Sequence, residues 1–205
     1  MAKLNEGDHF PTVDVALAVV LLRLDSRPET RHLLPPVKAA NDEMQAAHTA
    51  WRVAVILAMA ATLDVNYRDE LVDAAYMAIS RALLAMVGGN RQALLWRQVY
   101  AEAPSKTVAP MATPEQSRAV ERVIETITAD DAYQGLRHLV PALVEAQADL
   151  KTALVAREAA DAKVHSAAHK RELAVGAARQ AYNRLFPELD LLFPNEPARV
   201  RYILG

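Results

Sequence analysis

PALVEAQADLKTALVAREAADAKVHSAAHKRELAVGAARQAYNRLF, residues 141–186, decides the fold, because after Pro141 it holds no proline and a single glycine, Gly176. Unbroken, it is one helix roughly 70 Å long at about 1.5 Å per residue, far beyond the usual three to four turns. A rod of that length needs a companion. The run from Val37 to Val87, with neither proline nor glycine, supplies one of about 75 Å. Gly88-Gly89 is a C-terminal stop signal for it. Within it, LDVNYRDE leaves two readings: Asn66 caps a new helix with Asp69 three residues on, or Asp64 to Glu70 is one polar turn of a continuous helix. The length of the partner favours continuity.

Composition agrees with helices throughout. The chain has 205 residues, 52% hydrophobic and 5% aromatic, with 40 alanines, so core volume comes from Leu, Val, Ile and Ala on closely approaching helices. A net charge of -2 argues against a nucleic-acid partner. Cysteine is absent, which removes disulfides, thiolate metal sites and cysteine nucleophiles together. The apolar runs Val15–Leu22 and Val53–Leu63 are shorter than the roughly 18 to 20 residues of a membrane span, and the first follows acidic residues, unlike a secretory signal. The expectation is a soluble, cytoplasmic protein with no leader and no membrane segment.

Around the rods the chain divides naturally. Residues 1–36 hold an apolar helix over Val13–Asp25, with Val13, Leu17, Val20, Leu21 and Leu24 on one face, and a proline-rich connection ending at Pro35-Pro36. A strand over Val15–Leu22 is the alternative, against which Ala16, Ala18 and the leucines speak. Asn90 can cap a short helix over Arg91–Glu102, followed by a proline-rich loop. Thr113-Pro114-Glu115-Gln116 reads as a capping box opening Glu115–Thr128, with Val120, Val123, Ile124 and Ile127 in a narrow apolar stripe. Phe186-Pro187 ends the second rod, and residues 187–205 form a tail with a short helix from Pro197. Because the second rod begins near where the first ends, the two run antiparallel. The predicted fold is all-α: one domain over 1–205, an elongated antiparallel bundle with long helices at about 37–87 and 131–186 and shorter helices at each end.

Chemistry-bearing patterns are sparse. Asp161, His165, His169 and Glu172, spaced by four, four and three, share a helix face where histidines at i and i+4 can chelate a divalent metal. The alternative is an ordinary solvated face, favoured by the interleaved Lys163, Lys170 and Arg171, which repel a cation. The di-iron pattern Glu-x-x-His occurs at Glu29–His32 and Glu6–His9, in the proline-flanked N-terminal region and on neither rod. His48 reads as a half-buried helical histidine. Of the heptad positions Leu143, Leu150, Arg157, Val164 and Gln147, Leu154, Asp161, Ala168, Val175, Tyr182, Leu189, the ends are apolar and the middle polar, so Arg157 and Asp161 are either a register-setting or ligand-facing ion pair or a rotated, solvated turn. There is no Gly-x-Ser-x-Gly elbow and no phosphate-binding glycine loop. No catalytic residue and no cofactor is expected.

The layout of a long helix carrying YRDELVDAAYMAI, a short pair, and a long helix ending RQAYNRLFPELDLLFP resembles uncharacterised bacterial proteins built from two long helices with a shorter pair between. The resemblance covers roughly residues 37–193, leaves the N-terminal helix unplaced, and implies no activity and no functional residues. The function expected is therefore a non-enzymatic, self-assembling structural subunit, with an adaptor binding a partner protein through a helix face as alternative and a metal-binding protein as a second one. WRVAVILAMAATL from Trp51 is apolar on nearly every face except at Arg52, so it is the centre of a bundle or a subunit interface. The expected assembly contacts are Val15, Leu17, Val20, Leu21, Trp51, Val55, Leu191, Phe193 and Tyr202.

Overall fold

The computed structural model describes residues 3–5, 7–100, 103–108 and 114–204, and among them there are helices and no strands. In chain order these are α1 (Phe10–Asp25), α2 (Leu34–Met86), α3 (Leu94–Val99), α4 (Pro104–Val108), α5 (Pro114–Ala129), α6 (Val140–Leu192) and α7 (Pro197–Leu204). Tight 3-10 segments at Pro28–Leu33 and Asp131–Leu139 lead into α2 and α6. The two long helices pack against each other with the shorter ones nearby, an all-α bundle. Met1–Ile56 with Ala162–Gly205 make one compact unit and Leu57–Asp161 a second. The first half of α2 thus accompanies the second half of α6, and the second half of α2 the first half of α6, so the long helices are antiparallel.

α2 is continuous through Asp64–Asn66. Its inward residues recur every seven: Val37, Met44, Trp51, Ala58, Val65, Val72 and Ile79, all buried except the half-buried Trp51. That spacing keeps one narrow seam against a neighbouring helix. At the end of α2, Gly88 and Gly89 take φ of 63° and 80°, and the Gly89 N–H donates to the Leu84 carbonyl at 2.8 Å, a bond that closes the last turn.

In the first unit, Val13, Leu17, Val20 and Leu24 of α1 join Val37 and Met44 of α2, Ala178, Tyr182, Leu185 and Leu189 of α6, and Val200, Ile203 and Leu204 of α7. Two polar contacts lock this core. The Tyr182 hydroxyl donates to the Leu204 carbonyl at 3.0 Å, fixing α7, and the Thr30 hydroxyl, fully buried, donates to the Leu24 carbonyl at 3.0 Å, capping α1. In the second unit, Val65, Val72, Tyr76, Ile79 and Leu83 of α2 meet Val120, Val123 and Ile127 of α5 and Leu143, Leu150 and Ala153 of α6. Tyr133 joins that core, its hydroxyl donating to the Leu95 carbonyl at 2.9 Å beside Gln98 Oε1 at 3.0 Å.

Four sequence expectations change. α6 does not stop at Phe186 but runs through Pro187 to Leu192. A proline inside a helix costs about 3 kcal/mol, and here Leu189 (0% exposed) and Phe193 (8%) lie beyond it in the core, so burial outweighs the lost hydrogen bond. Residues 131–139 wind as a tight 3-10 segment before α6, with the Asp130 carboxylate accepting from the Ala132 N–H at 2.9 Å. The helix expected over Arg91–Glu102 is only Leu94–Val99, because the Asn90 side chain accepts from the Gln92 N–H at 2.9 Å and holds a turn there; residues 101 and 102 lie outside the described part. Finally, the proline-rich loop after it contains the turn of α4. Thr113, the expected cap of α5, lies outside the described residues, while Val120, Val123 and Ile127 are buried as expected.

Candidate functional site

The most unusual surface is the outer face of α2. Opposite the inner seam, Val53 (51% exposed), Ile56 (62%), Leu63 (68%) and Tyr67 (55%) stand in line, with Ala60 between them and Leu57 and Met59 beside them. Their spacing, three then four residues, repeats twice from Val53 to Tyr67 and is that of a coiled-coil seam. Contiguous apolar patches of several hundred Å² are uncommon on a monomer and mark interaction surfaces. WRVAVILAMAATL is therefore not buried all round: Ala58 faces the core and Trp51 is half-buried on the same seam, while Ile56, Leu57, Met59 and Leu63 face out. By length and composition alone, the helical stretch Pro28–Met86 contains one 18-residue segment apolar enough to cross a membrane, where the isolated run Val53–Leu63 is too short.

Within the first unit a cleft of about 510 Å³ opens where α1 begins against α2 and α6. Phe10 stacks on the His48 ring at 3.8 Å between centroids, and the Arg171 guanidinium lies 4.2 Å over Trp51. Burial and the nearby Arg171 and Arg52 hold His48 below the usual imidazole range, opposed by Asp14. Its Nδ1 is enclosed with no hydrogen-bond partner in the structure. Arg179, on the same wall, donates to the Asn5 carbonyl at 2.7 Å. Asp8 and Glu172 complete the lining, so positive and negative charges are balanced and no net field is built. A second groove, of about 800 Å³, is walled largely by alanines such as Ala47, Ala50, Ala167 and Ala174.

In the second unit Gln116, 3% exposed, donates from Nε2 to Asp69 Oδ1 at 3.0 Å and Asp73 Oδ1 at 2.9 Å. Burial, then the neighbouring Asp69, push the Asp73 carboxyl up to about 6. One amide thus bridges two carboxyls on successive turns of α2, a docking contact for α5.

The structure places Asp161, His165, His169 and Glu172 all exposed along α6, and among the described residues no group of three or more such side chains is gathered as a metal would require. Arg157 is half-buried and Asp161 exposed, the rotated turn rather than a buried pair. Glu29 pairs with Arg199 and His32 is exposed; Glu6 lies outside the described residues. Of the expected contacts, Leu17, Val20 and Phe193 are buried in the first unit's own core, where α1, the end of α6 and α7 pack together. Leu21, Trp51 and Val55 are half-buried, while Val15 (65%), Leu191 (83%) and Tyr202 (57%) are exposed. Tyr202 is held beneath Arg23 and Arg27 at 4.8 and 5.2 Å. The outward residues Ile56, Leu57, Met59 and Leu63 were not singled out from sequence, because the stretch is apolar on nearly every face.

No family model, curated protein or solved structure matches the chain.

Proposed function

We propose that this protein is a non-enzymatic structural subunit that works by associating with copies of itself. The observation that carries the reading is the outer face of α2, where large aliphatic side chains stand in water while the inner seam is complete without them. The alanine-walled groove of about 800 Å³ in the first unit is a further receptive surface. Within this reading the protein is cytoplasmic, and its layout resemblance implies a bacterial source.

Sedimentation velocity on the full chain tests it. Association that grows with concentration is expected, and a strict monomer at the highest soluble concentration overturns it. A second reading, an adaptor taking a partner protein on a helix face, is favoured by a separate outward set, Leu22 (75% exposed) on α1 and Leu191 on α6. If Leu191→Glu leaves self-association intact, that set is free for such a partner; if it abolishes self-association, the adaptor reading loses its surface.

A further inference from the structure

We infer that the outer face of α2 pairs antiparallel with the same face of a second copy, with Ala60 of each chain packed against Ile56 of the other. The inference rests on the self-association reading above and adds its surface, direction and register. It requires only that α2 be one continuous helix through residues 53–67, which it is.

The occupant follows from steric and charge complementarity. In a two-helix antiparallel seam, the positions that recur by three and four interleave in layers. One register places Val53 against Leu63, Ile56 against Ala60, Ala60 against Ile56 and Leu63 against Val53, with Thr49 against Tyr67 at each end. Every large residue then meets a smaller one. The face is thus complementary to itself about a two-fold axis, as a closed, isologous dimer needs. A parallel pair would set Tyr67 on Tyr67 and Leu63 on Leu63 while leaving a gap at Ala60 on Ala60. Sliding the antiparallel pair seven residues further brings Glu70 into the seam against Val53. In the inferred register the flanks set Met59 beside Met59 and Arg52 beside Asn66, so no charge meets its like.

Area points the same way. The six outward side chains Val53, Ile56, Leu57, Met59, Leu63 and Tyr67 are 51% to 68% exposed. Together they present on the order of 600 Å², approaching the ~800 Å² per partner of a standard interface once Thr49 and Ala60 are counted. A bilayer fits less well, since α6, packed on α2, carries Arg157, Glu158 and Asp161, and charges at membrane depth are costly.

The absence of cysteine makes the experiment direct. Single-cysteine full-length proteins Val53→Cys and Leu63→Cys are oxidised separately and as a mixture, beside sedimentation of wild type and Leu63→Glu. Expected is a disulfide-linked dimer far more abundant in the mixture than in either protein alone, since only opposed Cβ atoms about 4 Å apart can bridge. Leu63→Glu should be monomeric with unchanged helical circular dichroism, as residue 63 faces solvent in the single chain. Strong linkage of Val53→Cys to itself overturns the antiparallel direction. A Leu63→Glu protein that still associates overturns the surface while leaving the self-assembly reading standing. Monomeric wild type overturns both, and its partition onto liposomes in that case would assign the face to a membrane.

Discussion

Replacing Asp73 with asparagine should make the second unit more stable at neutral pH, the reverse of the usual outcome of removing a hydrogen-bonded carboxylate. The Asp73 carboxyl is raised from 3.8 to about 6, first by burial and then by Asp69. A raised acid holds its proton longer in the folded state, so between these values the native chain binds more protons than the unfolded one. Its contribution to stability is therefore present below pH 3.8 and is lost as pH rises through about 6. A shift of two units corresponds to about 3 kcal/mol, and because the carboxyl is only partly withdrawn from water, about 1–2 kcal/mol is the realistic share. Asp73→Asn keeps an oxygen for the Gln116 amide and loses the charge. Urea unfolding followed by Trp96, buried in the second unit, in a Trp51→Phe background would report this unit. The variant should gain about 1–2 kcal/mol over the parent at pH 8 and nothing below pH 4. Equal stability of the two proteins across that whole range would refute the reasoning, as would a variant that is weaker at pH 8.

Four further outcomes can be checked readily. Gly89→Ala forces a φ of 80° on an L-residue with open space around its Cβ, so it should cost about 1 kcal/mol of thermal stability through the backbone alone. Leu17→Ala, fully buried in the first unit, should cost about 2–5 kcal/mol by denaturant unfolding, and a value near zero would contradict its place in the core. His48 should titrate below 6.5 in an NMR pH series, and because its folded value is depressed, the stability it contributes is present above 6.5 and lost as pH falls. Zinc should leave the melting temperature unchanged, whereas a rise abolished by His169→Ala would show that the exposed α6 face does gather a metal.

The two rods were legible because neither run holds an internal proline and Gly176 is the one glycine within them, and Gly88-Gly89 punctuates where it should. Pro187 misled because a local penalty of a few kcal/mol says nothing of the burial that Leu189 and Phe193 gain beyond it. The direction of the α2 face was legible only in part. WRVAVILAMAATL is apolar almost all round, so periodicity could not say that Ala58 turns inward while Ile56 and Leu63 turn outward. Leu17 and Val20 looked like contacts for another chain because the sequence does not show α7 closing over α1. The histidines of α6 share a face by their spacing, but a face is only a line of side chains, and a metal needs ligands converging from more than one direction.

The seven-residue recurrence from Val37 to Ile79 also limits how the length of α2 can change. Each residue advances the helix by about 100°, so deleting one from the stretch between Arg52 and Leu57 would turn every later side chain away from its seat. Val65 and Val72 would leave the seam and polar neighbours would enter it. Insertions and deletions in this helix should survive selection only as whole heptads, or as compensated sets of three and four, while the connections around α3 and α4 are free to vary by single residues.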